Sequence, residues 1–244
     1  MVKLKDWDDL PQVMRNNAVE PYYKALSKRK ASIPLKRIFD FGVGVFMAAV
    51  LILPMLIIAA LIKLDSKGPV IFRQKRVTVN GRLFYILKFR TMAVNADSHG
   101  TEVTVKNDAR ITRIGHTLRK FRLDELPQIF NVISGDMSFV GTRPEVPKYV
   151  ARYTPEMIAT LLLPAGITSE ASINYKDEDE LLNDAENAED TYVNLVLPEK
   201  MKFNLRYIEN YSFLRDLRIM AATIWAVVKG KPKIEAKTVR GVKI

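Results

Sequence analysis

The chain contains no cysteine and only two histidines, His99 and His116. Without cysteine there is no disulfide framework, thiolate nucleophile or cysteine-ligated zinc. The histidines lie far apart and show none of the short spacings of a histidine metal site. Histidine-based hydrolysis is therefore disfavoured, and any chemistry must rest on carboxylates and cations. No internal repeat and no low-complexity tract is present. What the chain does have, in 244 residues, is 38 Lys+Arg against 27 Asp+Glu, a net charge of +11. That balance favours a polyanionic partner: nucleic acid, an anionic membrane surface or a phosphorylated substrate.

One segment narrows the choice. Phe41 to Ile62 reads FGVGVFMAAVLILPMLIIAALI, 22 residues without a charged side chain. As a helix this run is roughly 33 Å long, the scale of a bilayer core. It starts too late, and lacks a small-residue cleavage site, to be an ordinary signal peptide. Pro54 near its middle removes a backbone hydrogen bond and bends the helix. Basic residues flank both ends, Lys28, Arg29, Lys30, Lys36 and Arg37 before it and Lys63, Lys67, Arg73, Lys75 and Arg76 after it. A crossing segment wants one flank poor in Lys and Arg. The reading is a re-entrant helix–break–helix over 36–66, dipping into one leaflet with both ends at the cytoplasmic face; the alternative is a proline-kinked span. Asp40, four and three residues after Lys36 and Arg37, is expected to pair with them on one helical face.

Residues 1–35 read as a polar, interfacial extension, 67–229 as the main cytoplasmic domain and 230–244 as a basic tail. Val70–Phe72, Val77 and Val79, then Asn80-Gly81, then Leu83–Leu87 predict a hairpin with a tight turn. Residues 93–110 read as loop. Ile111, Ile114, Leu118 and Phe121 recur at helical intervals, and Leu126, Ile129, Phe130 and Ile133 resume the pattern after a break. Residues 134–147, SGDMSFVGTRPEVP, are punctuated by Gly and Pro and read as a structured loop. Residues 177–190 are strongly acidic, a solvated face or loop. Phe213–Val228 ends in ten uncharged residues, too few to span, and reads as a helix on the domain or in the membrane interface. The fold class is α+β, predominantly helical, with a small hairpin and surface amphipathic helices around a catalytic helix.

The break is RKFRLDELPQ, residues 119–128. Pro127 is tolerated in a first helical turn, so a new helix is expected to begin near 124–126 with Asp124 as its N-cap. The helix dipole and Arg119, Lys120 and Arg122 would keep Asp124 ionised. An ionised aspartate among cations can attack phosphorus, and the same cations can hold the phosphate. Glu125 could bind a divalent ion or move a proton, since Mg²⁺ uses one or two carboxylates with substrate phosphates. An unremarkable reading stands beside this one: Asp as cap, Glu in the first turn, cations as a solvated face.

KRIFDF at 36–41, KFRTM at 88–92, LRKFRLDELPQIFNVISGDMSFVGTRPE at 118–145 and PAGIT at 164–168 occur in that order. Together they resemble the bacterial sugar transferase family, the monotopic polyprenyl-phosphate phosphoglycosyl transferases, over roughly Lys36 to Val228. The resemblance implies a two-step exchange at the cytoplasmic face of the bacterial inner membrane. The aspartate attacks the β-phosphate of a UDP-sugar and releases UMP; a polyprenyl phosphate, typically undecaprenyl phosphate, then takes the phosphosugar. By motif Asp124 is the nucleophile and Glu125 its partner, associated with Mg²⁺. Lys88, Arg119 and Arg143 match cations that hold phosphate oxygens, while Gln128 and Asp136 match motif positions without a firm role. Pro54 matches the break in the family's membrane helix, with Leu53 where a serine is common. Many members follow the PGIT-like motif with a G-W-A-Q-V-N-G-R segment. Here the chain reads PAGITSEASINYKDEDE, so a nucleotide- or sugar-reading role there does not transfer.

Two other classes compete. A membrane-surface scaffold would use the basic charge without chemistry, and a membrane-bound hydrolase would release nucleotide without a lipid acceptor. Nucleic acid is not an expected partner: no recognised motif is present, and the aromatics are not interleaved with the basic residues as a stacking platform requires.

Overall fold

The computed structural model describes residues 3–94, 110–175 and 187–228. The loop expected at 93–110, most of the acidic run at 177–190 and the tail at 230–244 lie largely or wholly outside these residues. After two short 3-10 turns the chain forms α1 (Glu20–Ser27) and the long α2 (Ser32–Asp65). The hairpin β1 (Ile71–Val77) and β2 (Leu83–Phe89) follows, then α3 (Arg113–Lys120) and α4 (Gln128–Ser134). Strand β3 (Met137–Val140), short α5 (Pro147–Val150), strand β4 (Ala165–Thr168) and α6 (Glu170–Asn174) come next. The described chain ends with α7 (Ala188–Thr191), a π-helical turn leading into α8 (Leu197–Glu209), and α9 (Phe213–Val228). Helix predominates, as expected of this α+β class.

The hairpin forms where it is predicted, in the register Val77↔Leu83 to Ile71↔Phe89. Its turn is one residue longer than a two-residue loop. Thr78 N–H donates to Arg82 O at 2.8 Å, and Asn80 and Gly81 between them take φ of 56° and 74°. Those left-handed values are why Asn-Gly stands there.

The expected loop at 134–147 contains β3, which pairs in parallel with β4. Four residues with every side chain buried show no alternation, so a pattern search reads them as loop. The two strands come together through glycine. A Cβ on Gly166 would lie 2.1 Å from the backbone nitrogen of Gly141, so no side chain fits at this crossing. The segment 1–35, read as an extension, supplies Leu10, Met14, Val19 and Leu26 to the same core as Phe139, Leu162 and Tyr211. Its apolar residues are too widely spaced to signal burial.

Helix α2 stays helical through Pro54, so the expected break is not an interruption of the helix. Proline removes one donor, and the hydrogen bonds on either side carry the helix across. Its outer surface is apolar and open: Phe46, Leu53, Leu56 and Leu64 are exposed, Leu64 to 85%. By length and composition α2 suffices to cross a membrane, and little of its apolar window is buried in the protein. An exposed apolar surface of this extent is unstable in water, and the chain is membrane-associated.

Both ends of α2 are fastened to the one polar domain. At the N-terminal end, Arg37 donates to the carbonyls of Val132 and Ile133, the last of them at 2.7 Å, near the C-terminus of α4. Lys36 is buried and pairs with Asp216 of α9 at 2.7 Å, with Asp40 farther off at 3.9 Å. The expected Lys36–Asp40 pairing is present but secondary, and Arg37 turns to α4 instead. At the other end Asp65 accepts from Ile114 N–H at 3.1 Å, at the start of α3. Met55, Ile58 and Ile62 pack with Phe89 and Leu118 beneath it.

Replacing Gly166 with alanine should cost about 3 kcal/mol by overpacking the β3–β4 crossing. Thermal unfolding followed by circular dichroism in detergent should show Tm lowered by at least about 5 °C. An unchanged Tm would mean that this crossing is not rigid.

Candidate active site

The DE pair sits in a 3-10 turn, Leu123–Glu125, entered through Arg122 in the left-handed conformation with φ of 53°. A non-glycine residue there costs of order 1–2 kcal/mol and is typical of functional turns. Asp124 is therefore inside the first turn and makes no side-chain cap bond, which corrects the expected N-cap role. Pro127 stands just before α4 and starts it, as its missing donor permits.

The turn gathers residues from two of the motifs, KFRTM and the long segment at 118–145. Glu125 is held by Arg143, whose Nη2 donates to Oε1 at 2.6 Å and Nη1 to Oε2 at 3.3 Å. Lys88 of β2 approaches the same carboxylate at 3.6 Å, and Arg122 at 3.8 Å. Burial alone would raise the Glu125 pKa; Arg143 and Lys88 outweigh it and hold the group well below the usual carboxylate range. Asp124, also buried, goes the other way. Burial raises its pKa and neighbouring Glu125 adds to this, against Lys88, Arg119 and Arg143. The cations bond Glu125 directly, and burial leaves Asp124 the more basic of the two carboxylates. Burial also pushes Lys88 down, to about 8.

Arg119, the last-turn cation of α3, donates from Nε to Thr91 Oγ1 at 3.0 Å. Lys88, Arg119, Asp124, Glu125 and Arg143 are thus brought together. Gln128 belongs with them, one helical turn beyond Asp124 and fully buried at 0% exposure. Neither its Oε1 nor its Nε2 has a protein hydrogen-bond partner. Asp136 is not brought in. It lies past the opposite end of α4, bonded to Arg82 at 2.7 Å and Ser134 at 2.8 Å.

Other buried polar residues of the same motifs have side-chain atoms without a protein partner: Thr142, and Arg90, which is turned to the end of α2 and donates from Nη2 to Ser66 O and Oγ at 2.7 Å. Leaving such groups dry costs roughly 1–3 kcal/mol each, which a polar ligand would recover. Glu145 anchors the segment that carries Arg143. It accepts from Tyr192 Oη at 2.6 Å and is flanked by Lys200 at 3.7 Å and Arg76 at 3.8 Å. Glu145 stands in the TRPE motif, which marks it; Tyr192 and Lys200 arrive from far along the chain, where no spacing could flag them.

Phe121, 58% exposed, and Phe130 flank the turn along the chain, with Lys120 over the Phe121 ring. A buried carboxylate, a cation-held neighbour and a buried amide without a protein partner thus meet at one turn.

Residues 31–230 match the family described as Bacterial sugar transferase, and the chain belongs to it. It is 38% identical over 193 residues to the UDP-N-acetylgalactosamine-undecaprenyl-phosphate N-acetylgalactosaminephosphotransferase of Aeromonas hydrophila, covering 75% of this chain and 42% of the relative. With the UDP-glucose:undecaprenyl-phosphate glucose-1-phosphate transferase of Xanthomonas campestris pv. campestris it shares 39% identity, covering 72% of this chain and 35% of that protein. With the uncharacterized sugar transferase EpsL of Bacillus subtilis (strain 168) it shares 33%, covering 80% of this chain and 87% of that one. The chain thus spans less than half the length of the first two relatives.

Proposed function

We propose that this chain transfers a sugar-1-phosphate from a UDP-sugar to a polyprenyl phosphate, undecaprenyl phosphate by analogy with the relatives. Asp124 acts as nucleophile. One carboxylate oxygen attacks the β-phosphorus, the P–O bond to the nucleotide breaks, and UMP leaves. The phosphosugar stays on Asp124 until an oxygen of the polyprenyl phosphate attacks the same phosphorus and releases the aspartate. Such an exchange begins a membrane-linked glycan. The observation that carries this reading is the division of labour in the DE turn: cations neutralise Glu125, while burial leaves Asp124 the more basic and more reactive anion.

Lys88, Arg119 and Arg143 are assigned to the phosphate oxygens, where they offset charge that would oppose a carboxylate approaching a diphosphate. Glu125 is the carboxylate that would hold Mg²⁺ together with diphosphate oxygens, as the small carboxylate number of such sites allows. Both its oxygens bond Arg143, so that guanidinium would be shared between Glu125 and phosphate. Mg²⁺, when bound, supplies neutralisation of the diphosphate. Gln128 is assigned to polar contact with substrate, because its amide is buried without a partner.

The single-face topology belongs to the same proposal. What supports it is that Arg37 and Asp65, at opposite ends of the apolar run, both bond helices of one polar domain. A crossing would need that domain on both sides of the bilayer. With both ends at the cytoplasmic face of the inner membrane, α2 dips into one leaflet and Phe121 sits at headgroup depth. A scaffold role leaves the buried carboxylates and the unpartnered polar groups unexplained.

With donor alone, intact-protein mass spectrometry should show a phosphosugar adduct, and Asp124→Asn should lower UMP release at least about a thousand-fold with membrane association intact. Absence of the adduct together with full turnover by the variant would sink the mechanism. Full multiple-turnover release without any acceptor would point to hydrolysis instead. Cysteines introduced at positions 30 and 66 in sealed vesicles should label from the same side; labelling from opposite sides would exclude the re-entrant topology.

The pH profile follows from the two shifted groups. Lys88 is cationic below its value of about 8, so UMP release should fall as pH rises through about 8. Asp124 must be ionised, so the acid limb should lie above the ordinary carboxylate range. Lys88→Arg, whose guanidinium stays protonated, should flatten the alkaline limb while keeping the acid one. An alkaline limb unmoved by that change would remove Lys88 from the phosphate site.

A further inference from the structure

A second basic site lies away from the DE turn, at the far end of α4. A cavity of about 680 Å³ is lined by Lys3, Lys5, Arg37 and Arg82 on its charged side and by Ile38 and Phe41 of α2 on its apolar side. No Asp or Glu lines it. Asp136 touches it indirectly, through its bond to Arg82. Arg37 spends two N–H groups on the carbonyls of α4, which are neutral, so its full charge remains. Lys3 and Lys5 are exposed at residue level and bring two more charges from the N-terminal segment.

We infer that this cavity binds the headgroup of an anionic bilayer phospholipid, a lipid other than the polyprenyl phosphate acceptor. Three cations, Lys3, Lys5 and Arg37, beside the Asp136-paired Arg82 match the charge of a phosphate diester. A free phosphate would account for them but not for the apolar wall, which is continuous with the exposed lipid-facing surface of α2: Ile38 is 63% and Phe41 49% exposed. The wall also fixes the depth. Phe41 opens the uncharged run, so the cations stand where headgroups meet acyl chains. The acceptor is excluded by position, since its phosphate must reach Asp124 and α4 separates the two places. A lipid held here would brace the Arg37 contact and so set how deeply α2 lies. The site stands independently of the transfer reaction.

Native mass spectrometry of the full chain in non-ionic detergent tests it, with phosphatidylglycerol and phosphatidylcholine of the same acyl chains as probes. One phosphatidylglycerol should be retained under activation that strips phosphatidylcholine. The double variant Lys3→Gln/Lys5→Gln should weaken that retention about ten-fold, as loss of two headgroup-facing lysines implies. Lys28→Gln/Lys30→Gln, the same charge change off the cavity, should leave it unchanged. Millimolar glycerol phosphate should not displace the lipid. Equal retention of phosphatidylcholine, an unaffected Lys3/Lys5 variant, or an equal loss in the Lys28/Lys30 variant would overturn the inference. Displacement by glycerol phosphate would do so too, by assigning the cavity to free phosphate.

Discussion

The structure depends on how the two ends of α2 are spent. Its basic end, through Arg37, satisfies carbonyls of the last turn of α4; its other end, through Asp65, satisfies the Ile114 N–H in the first turn of α3. A cation at a helix C-terminus and an anion at a helix N-terminus are each the favoured sign. Helices α3 and α4 are the two that flank the DE turn. The long apolar helix therefore holds the pair of helices between which Asp124 and Glu125 sit, so its position and that of the two carboxylates are set together.

Within the turn, adjacent carboxylates have been driven apart in character. Bidentate contact from Arg143 with Lys88 nearby makes Glu125 a permanent anion and a fixed part of the scaffold. Asp124 carries the desolvation without the direct hydrogen bonds that Glu125 receives from Arg143. The cost of keeping it is spread over a left-handed Arg122, a buried Gln128 and a TRPE segment held by Glu145, Tyr192 and Lys200. These are local departures from good folding practice, concentrated in one place, as functional sites tend to be.

The buried Lys36–Asp216 pair, with Tyr207 donating to Asp216 at 2.7 Å, links α2 to α9. Outward-facing Leu214, Ile224 and Trp225 make α9 a second apolar surface beside α2. Breaking one partner of such a pair leaves an uncompensated buried charge, which enforces a single arrangement of the two helices.

Much of this was legible in the residues. An uncharged run of bilayer length, an Asn-Gly turn between apolar stretches and helical periodicity interrupted at Pro127 are local signals, and each element formed where its signal lay. The dense motif around Asp124 named the family. What local pattern could not convey was partner choice. Whether cations would bond Asp124 or Glu125 depends on where β2 and the TRPE segment meet the turn. Whether residues 137–140 form a strand depends on a parallel partner more than twenty residues away. Whether Asp136 joins the site depends on which end of α4 faces it. Sequence alone determined the elements and their chemistry, because periodicity and turn residues act within a few positions. Tertiary structure alone decided which charges meet and which polar groups are left dry, because those are properties of packing between distant segments.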